Sequence, residues 1–220
     1  MINYQNATPV RIFWHLPSYQ YVRTTDTIKV VLWDKREQKW STEHVDDASL
    51  DFENRILNVA VVELAPLAYI QPKNTDFPYQ SWKIRCTGDE CAILDIEGKR
   101  LSLRFEITPG YVYLRNRDEP CLAHIVDKAW LPSDLLYELQ KCGINLLPTD
   151  EDVELCEMPL KNIAAEFKAI EDISMAVRAY YISSSKWNHS AFSNGKFFVS
   201  KKIDQVVLRM RSNPEYDEEF

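Results

Sequence analysis

The chain has 220 residues, of which 45% are hydrophobic and 27% are charged, and its formal net charge is −7. These values are typical of a folded globular protein and exclude disordered and fibrous classes. Because an acidic chain repels phosphate backbones, we do not expect nucleic acid as a partner. No apolar run approaches the roughly 18 residues of a membrane span, and the N-terminus lacks a signal-peptide pattern. We therefore expect no membrane association, a cytoplasmic location, and reduced thiols at all 5 cysteines.

Short alternating segments dominate the first part of the chain. Turn-forming residues separate them, and this spacing is typical of an antiparallel β-sandwich. The first two segments form a hairpin in which Trp33 and Trp40 are expected to pack in the core. The next two form a second hairpin with Asn54 at its tip. The predicted strands are residues 27–33, 39–42, 49–52, 56–62 and 67–70.

A polar stretch with two prolines, residues 71–80, marks a predicted domain boundary. We expect a β-sandwich domain at residues 1–78, an α+β domain at 79–211 and an acidic tail at 212–220. The second domain opens with a predicted four-strand meander whose connectors have the glycine and proline chemistry of tight turns. Its strands are residues 82–86, 91–96, 101–107 and 111–115.

The hydrophobic period then changes to that of helices. A helix is predicted to begin at Pro132, to bury Leu135 and Leu139, and to end before a capping Gly143. The sequence from Thr149 to Asp152 has the form of a capping box. A longer helix is predicted over residues 159–181, with an apolar stripe that either packs on the second sheet or docks on a partner helix.

Closing strands are predicted at residues 195–200 and 205–210. The predicted fold class is therefore α+β, with an N-terminal antiparallel β-sandwich followed by an antiparallel sheet packed with two helices.

The sequence offers little reactive chemistry. None of its 4 histidines has the spacing of a helical metal pair, and Cys86 and Cys91 lack a second pair at zinc-site spacing. His124 lies in an apolar context, where a hydrogen-bonded core histidine is expected. Nucleophile elbows, phosphate-binding loops and dinucleotide fingerprints are also missing. We expect no enzyme activity, no catalytic residue, no metal and no cofactor.

Two alternatives to a protein-binding scaffold stay open at this stage. A sandwich that binds a small ligand or carbohydrate would present coplanar, exposed rings at Trp33, Trp40 or Trp82 beside a cleft. An unrecognised hydrolase would place His124 or His189 in a pocket, within hydrogen-bond reach of a cysteine or carboxylate.

Charge is segregated in the last third of the chain. Residues 146–175 contain eight acidic and two basic side chains, a balance of −6, whereas residues 195–211 contain five bases and one acid, a balance of +4. Either the closing segment packs beside the acidic one, or it forms a basic patch that meets an acidic protein surface. The candidate protein-binding residues are the five bases of that segment: Lys196, Lys201, Lys202, Arg209 and Arg211.

Four motifs occur in a suggestive order. They are FPYQSW at residues 77–82, AWLPSDLL at 129–136, CGINLLP at 142–148 and SSKWN at 184–188. In this order they resemble the C-terminal region of the axonemal dynein accessory intermediate-chain family, also called the cancer-susceptibility-candidate-one family. The Trp-Asp turn at Trp33 and the segment 67–70 are similar to the sandwich that precedes that region. The resemblance covers roughly residues 27–204.

The resemblance implies a non-catalytic subunit of inner-arm dynein in motile cilia or flagella. It implies dynein intermediate and heavy chains and tubulin, and hence microtubules, as partners, and the axoneme as the location. The family has no catalytic residues to carry over. The long charged N-terminal part of the family has no counterpart in these 220 residues.

Overall fold

A computed structural model describes residues 8–23, 28–88, 90–156, 160–185, 202–203 and 208–212. The chain divides into two compact units, Met1–Pro72 and Lys73–Phe220. The domain boundary between residues 78 and 79, with an acidic tail from residue 212, stays a prediction. The α+β fold class is confirmed, because antiparallel sheets dominate both units and helices occur in the second.

The first unit is a sandwich of two three-stranded antiparallel sheets. One sheet has the order β1-β5-β4 and the other the order β3-β2-β6. Strand β1 had no sequence prediction, β6 was predicted with its observed bounds, and the other four were predicted with one or both ends shifted. The strands are β1 (Val10–His15), β2 (Lys29–Asp34), β3 (Lys39–Ser41), β4 (Val45–Asp51), β5 (Ile56–Val61) and β6 (Leu67–Ile70).

Alternate residues of β2 and β5 build the core of this sandwich. Since side chains alternate between the two faces of a strand, every second residue can point inward. The inward set is apolar and includes a fully buried Val61. The buried cluster joins both sheets and consists of Leu16, Val30, Leu32, Leu57, Val59 and Val61.

The predicted pairing of Trp33 with Trp40 is confirmed, but its place in the core is wrong. The two residues are opposite each other in the β2–β3 hairpin, and their rings meet edge to face with centroids 5.4 Å apart. Trp40 nevertheless keeps 48% of its surface exposed. Strand β3 lies at the edge of its sheet, so the pair stabilises the hairpin from the outside.

The second unit is built on a six-stranded antiparallel sheet with the order β10-β9-β8-β7-β12-β14. Its first four strands confirm the predicted meander, and a separate parallel pair joins β11 to β13. The strands are β7 (Ser81–Gly88), β8 (Cys91–Glu97), β9 (Ser102–Thr108), β10 (Tyr111–Leu114), β11 (Leu160–Lys161), β12 (Tyr180–Ser185), β13 (Lys202–Ile203) and β14 (Arg209–Ser212).

Helix α1 (Pro132–Lys141) confirms the sequence prediction closely. Leu135 and Leu139 are buried, and Gly143 has φ of +83°, a left-handed conformation that glycine adopts without steric cost. Helix α2 (Asp150–Leu155) begins at the predicted capping box, in which the Thr149 and Asp152 side chains each bind the other's backbone N–H. The hydrogen bonds that the Asp152 carboxylate accepts from the Thr149 N–H and hydroxyl hold the pKa of Asp152 below its usual value.

Helix α3 (Ile163–Ala176) is shorter than the predicted helix over residues 159–181. It begins at Asn162, whose side-chain oxygen accepts a hydrogen bond from the Ala164 N–H at 2.9 Å. The preceding β11 pairs with β13, and the following β12 pairs with both β7 and β14. The apolar residues keep helical spacing through Tyr181. Tyr180 and Tyr181 nevertheless belong to β12, and their backbone pairs with β14 in the sheet.

A buried ion pair joins three segments of the second unit. Arg100 lies between β8 and β9, and Asp76 ends a short 3₁₀ helix, Lys73–Asp76. Their side chains are 5% and 2% exposed. The Arg100 Nε donates to Asp76 Oδ1 at 2.7 Å, and its Nη2 donates to Oδ2 at 2.9 Å. The same Nη2 also donates to the Gly143 carbonyl oxygen at 2.8 Å, which brings in the end of α1.

Neighbouring hydrogen bonds complete this junction. The Asn145 backbone N–H donates to Asp76 Oδ2 at 2.9 Å, and its side-chain amide donates to the Lys73 carbonyl oxygen at 3.1 Å. The Tyr79 hydroxyl donates to the Leu146 carbonyl oxygen at 2.5 Å, and burial raises its pKa. Two of the motifs that carry the resemblance, residues 77–82 and 142–148, therefore meet at this ion pair.

We predict that Asp76→Ala lowers the free energy of unfolding of the second unit by about 3–5 kcal/mol, because it leaves the Arg100 charge buried without its partner. Native-state hydrogen exchange of the β8 and β9 amides measures this loss. Asp127→Ala is the control, since it removes an exposed carboxylate that binds Arg115 and Arg117. The prediction fails if Asp76→Ala is no more destabilising than the control.

Candidate protein-interaction surfaces

Helix α3 presents an apolar stripe to solvent. None of its 14 residues is buried. Ile163, Phe167 and Ile170 lie one turn apart on one side and are 67%, 64% and 61% exposed. The half-buried residues, Ala165 and Ala169 among them, lie on the other side. The predicted stripe therefore exists, but its largest side chains point away from the rest of the unit.

Polar residues flank the stripe and are mostly acidic. The exposed Lys168 ammonium lies 2.9 Å from an Asp172 oxygen and 3.7 Å from a Glu171 oxygen. These contacts raise the pKa of Lys168, and the hydrogen bond to Asp172 makes the largest contribution. With Glu166 also exposed, the helix carries three acids and one base. An apolar stripe between acidic flanks fits a helix with apolar and basic residues.

The five predicted protein-binding bases do not form one cluster in the described part of the chain. Lys196 and Lys201 lie outside the described residues. Lys202 belongs to β13, whose backbone pairs with Leu160, directly before α3. Arg209 and Arg211 lie in β14 and are exposed. One part of the closing segment thus runs beside the acidic segment, and another part joins the six-stranded sheet.

Sequence reasoning missed the sheet neighbours of Arg209. Strand register places five residues in one row across the sheet. From β14 to β9 they are Arg209, Ser183, Lys83, Asp95 and Arg104, each opposite the next. Residues in register share a face, and the adjacent row contains the buried Ile182 and Phe105, so this row points outward. Of the strands in this row, β7, β8 and β9 were predicted from the sequence, and β14 was predicted with other bounds, residues 205–210. Neither β12 nor the order of the strands was predicted.

Asp95 pairs with both bases in the middle of this row, Lys83 and Arg104. It lies 3.5 Å from the Lys83 ammonium and accepts a 2.6 Å hydrogen bond from Arg104, which raises the pKa of Arg104. Within the described residues, no acidic side chain pairs with Arg209 or Arg211. A groove of about 370 Å³ is lined by Lys83, Asp95 and Arg104, the residues of the row whose charges are paired. In this row, the base that has no acidic partner among the described residues is therefore Arg209, at the β14 edge.

His124 is not the core histidine that the sequence predicted, because it is exposed. Its Nε2 lies 3.7 Å from the Sγ of Cys142, an arrangement that the hydrolase alternative required. Cys142, however, is fully buried, and burial raises the pKa of its thiol to about 11. A thiol is nucleophilic as the thiolate, so this pair lacks the electrostatics of a catalytic dyad. The other candidate, His189, lies outside the described residues.

The ligand-binding alternative required coplanar aromatic rings. The Trp33 and Trp40 planes instead meet at 68°. Trp82 is half-buried in β7, on another unit. This geometry does not favour the stacking of a sugar ring or a flat ligand between them.

The described residues contain no group of three or more histidine, cysteine, aspartate or glutamate side chains placed to hold a metal ion. In the same ranges, no helix has both the length and the apolar character needed to cross a lipid bilayer.

Comparisons with known proteins give one consistent result. Dynein axonemal intermediate chain 7 of Danio rerio is 24% identical over 160 residues, which are 73% of this chain and 22% of the relative. The Bos taurus protein of the same name is 25% identical over 77% of this chain and 24% of its own length. Its Ciona intestinalis homologue is 24% identical over 86% of this chain and 26% of its own length.

The chain spans about a quarter of the length of these curated relatives. No protein-family model matches the sequence. The relatives nevertheless share one name and align with most of this chain. They confirm the resemblance to the axonemal dynein intermediate-chain family that the motifs indicated.

Proposed function

We propose that this chain is a non-catalytic structural or accessory subunit of an axonemal dynein complex, or acts in its assembly, in the cilium or flagellum axoneme. The name of its relatives, dynein axonemal intermediate chain 7, supports a dynein-associated role. We further propose that it acts through protein–protein contacts with dynein intermediate and heavy chains and with tubulin.

The observation that carries this proposal is the exposed stripe of α3. Three large apolar side chains, each more than 60% exposed, form a contiguous row on a helix with no buried residue. Such patches on soluble domains mark interaction sites, because exposing them to water is unfavourable. A partner helix with apolar and basic residues would bury the row and pair with Glu166 and Glu171.

The basic residues would have a different role. Arg209 and Arg211, with Lys196, Lys201 and Lys202 as further proposed contacts, would orient an acidic partner surface and accelerate its association. This contribution depends on salt, whereas burial of the α3 stripe is largely independent of it.

We predict that the purified chain co-sediments with microtubules or binds dynein intermediate chains in a pull-down. The microtubule contact should weaken when ionic strength rises, because salt screens exposed charges. Binding to neither partner at low salt would contradict the proposed function. Bovine serum albumin, another acidic protein, serves as the sedimentation control.

A second prediction concerns α3. Phe167→Glu should weaken the pull-down of dynein intermediate chains by about ten-fold or more, because it places a charge within the apolar contact. Lys168→Gln is the matched control, since it changes the net charge by the same amount at the adjacent position, outside the stripe. Both sites are exposed, so the free energy of unfolding should change by less than about 0.5 kcal/mol. Equal binding by the two variants would remove α3 from the proposal.

A third prediction tests the absence of a cysteine nucleophile. At pH 8, Cys142 in the folded protein should react with iodoacetamide far more slowly than in urea. Its pKa of about 11 keeps the thiol protonated, and burial denies access to the reagent. Mass spectrometry of the labelled peptides measures the rate. Labelling of Cys142 at the same rate in both states would reopen the hydrolase alternative.

A further inference from the structure

Strand β14 ends the six-stranded sheet. In the sheet order it follows β12, and among the described residues β12 is its one hydrogen-bonded neighbour. All four of its residues, Arg209–Ser212, are exposed. A strand in this position has one side whose backbone N–H and C=O groups remain available for another strand. Strand β14 contains no proline, a residue that would prevent such pairing because it lacks a backbone N–H.

The side chains of β14 specify the chemistry of an added strand. Arg209 and Arg211 point to the face that carries Lys83, and they lack acidic partners within the described residues. Met210, between them, points to the opposite face beside the buried Ile182, and is itself 49% exposed. A neighbouring strand would place acidic residues beside the two arginines and an apolar residue beside Met210.

We propose that the β14 edge binds an extended acidic segment of a partner protein by strand addition, with acidic and apolar residues alternating along that segment. Backbone hydrogen bonds would supply affinity, and the alternating contacts would supply specificity. The inference rests on the proposed function only in taking Arg209 and Arg211 as partner contacts. It names the binding mode and the chemistry of the segment, and it does not depend on which protein provides it.

The test uses the full chain and a fluorescein-labelled peptide in which glutamate and valine alternate over seven positions. A control peptide has the same composition, with its glutamates in one block. Fluorescence anisotropy should show binding of the alternating peptide, and affinity for the block peptide should be at least about ten-fold weaker. Hydrogen exchange should show that the alternating peptide protects β14 amides, with no new protection in α3.

The variant Arg209→Glu/Arg211→Glu should weaken binding of the alternating peptide by about ten-fold or more. Lys35→Glu/Arg36→Glu is the control, since it makes the same charge change in an exposed turn of the first unit and should leave binding unchanged. Equal affinity of the two peptides, an unchanged affinity of the Arg209/Arg211 variant, or protection outside β14 would overturn the proposal.

Two other occupants of the edge give distinct results. If residues 213–220 of the same chain occupy it, their deletion raises peptide affinity and exposes β14 amides that were already protected. If a second copy occupies it, sedimentation shows a dimer that the peptide dissociates. Either result overturns the proposed partner segment. Peptide binding at β14 without any dynein or microtubule binding would support strand addition and contradict the proposed function. Dynein or microtubule binding without peptide binding at β14 would support the proposed function and contradict strand addition.

Discussion

The second unit depends on the burial of one carboxylate and one guanidinium. Asp76 and Arg100 are both withdrawn from water, so each charge must be matched by the other and by backbone groups. Gly143 supplies a carbonyl oxygen to Arg100, and Asn145 supplies an N–H to Asp76. This geometry requires the 3₁₀ helix, the β8–β9 connection and the end of α1 to be in place together. The pair therefore specifies one arrangement of three connections that hydrophobic burial alone would leave less well defined.

The six-stranded sheet links this core to the proposed binding surface through strand register. One row across the sheet contains the buried Ile182 and Phe105, so the adjacent row faces outward. That outward row is charged and runs from Arg104 to Arg209, although these residues are far apart in the sequence. Asp95 pairs with Lys83 and Arg104 at its centre, whereas Arg209 at the edge has no acidic partner among the described residues. Burial on one face thus determines where charge is available on the other.

Local sequence signals predicted much of this fold because they are physically local. The turns of the meander, the Gly143 cap and the capping box at Thr149 depend on residues within a few positions of one another. The ends of α3 were wrong because strand pairing with distant segments overrides helical spacing. The Asp76–Arg100 pair and the exposure of His124 depend on tertiary contacts that no local pattern encodes. The candidate surfaces were predictable as an apolar stripe on a helix and a basic closing segment, but the position of β14 at the edge of the six-stranded sheet was not.

Helix α3 combines a low intrinsic stability with a large unburied apolar surface. A 14-residue helix is marginal in water by itself, so α3 depends on the Asn162 cap and on its half-buried side. A partner that covers Phe167 and its neighbours would bind the helical form and not the unfolded one. Binding and helix formation would therefore be thermodynamically linked, and partner binding would stabilise α3 in proportion to affinity. Strand addition at β14 requires no comparable ordering, because β12 already holds that edge in an extended conformation. The two proposed surfaces would thus differ in mechanism: contact at β14 would be sensitive to salt, whereas contact at α3 would be sensitive to the stability of the helix.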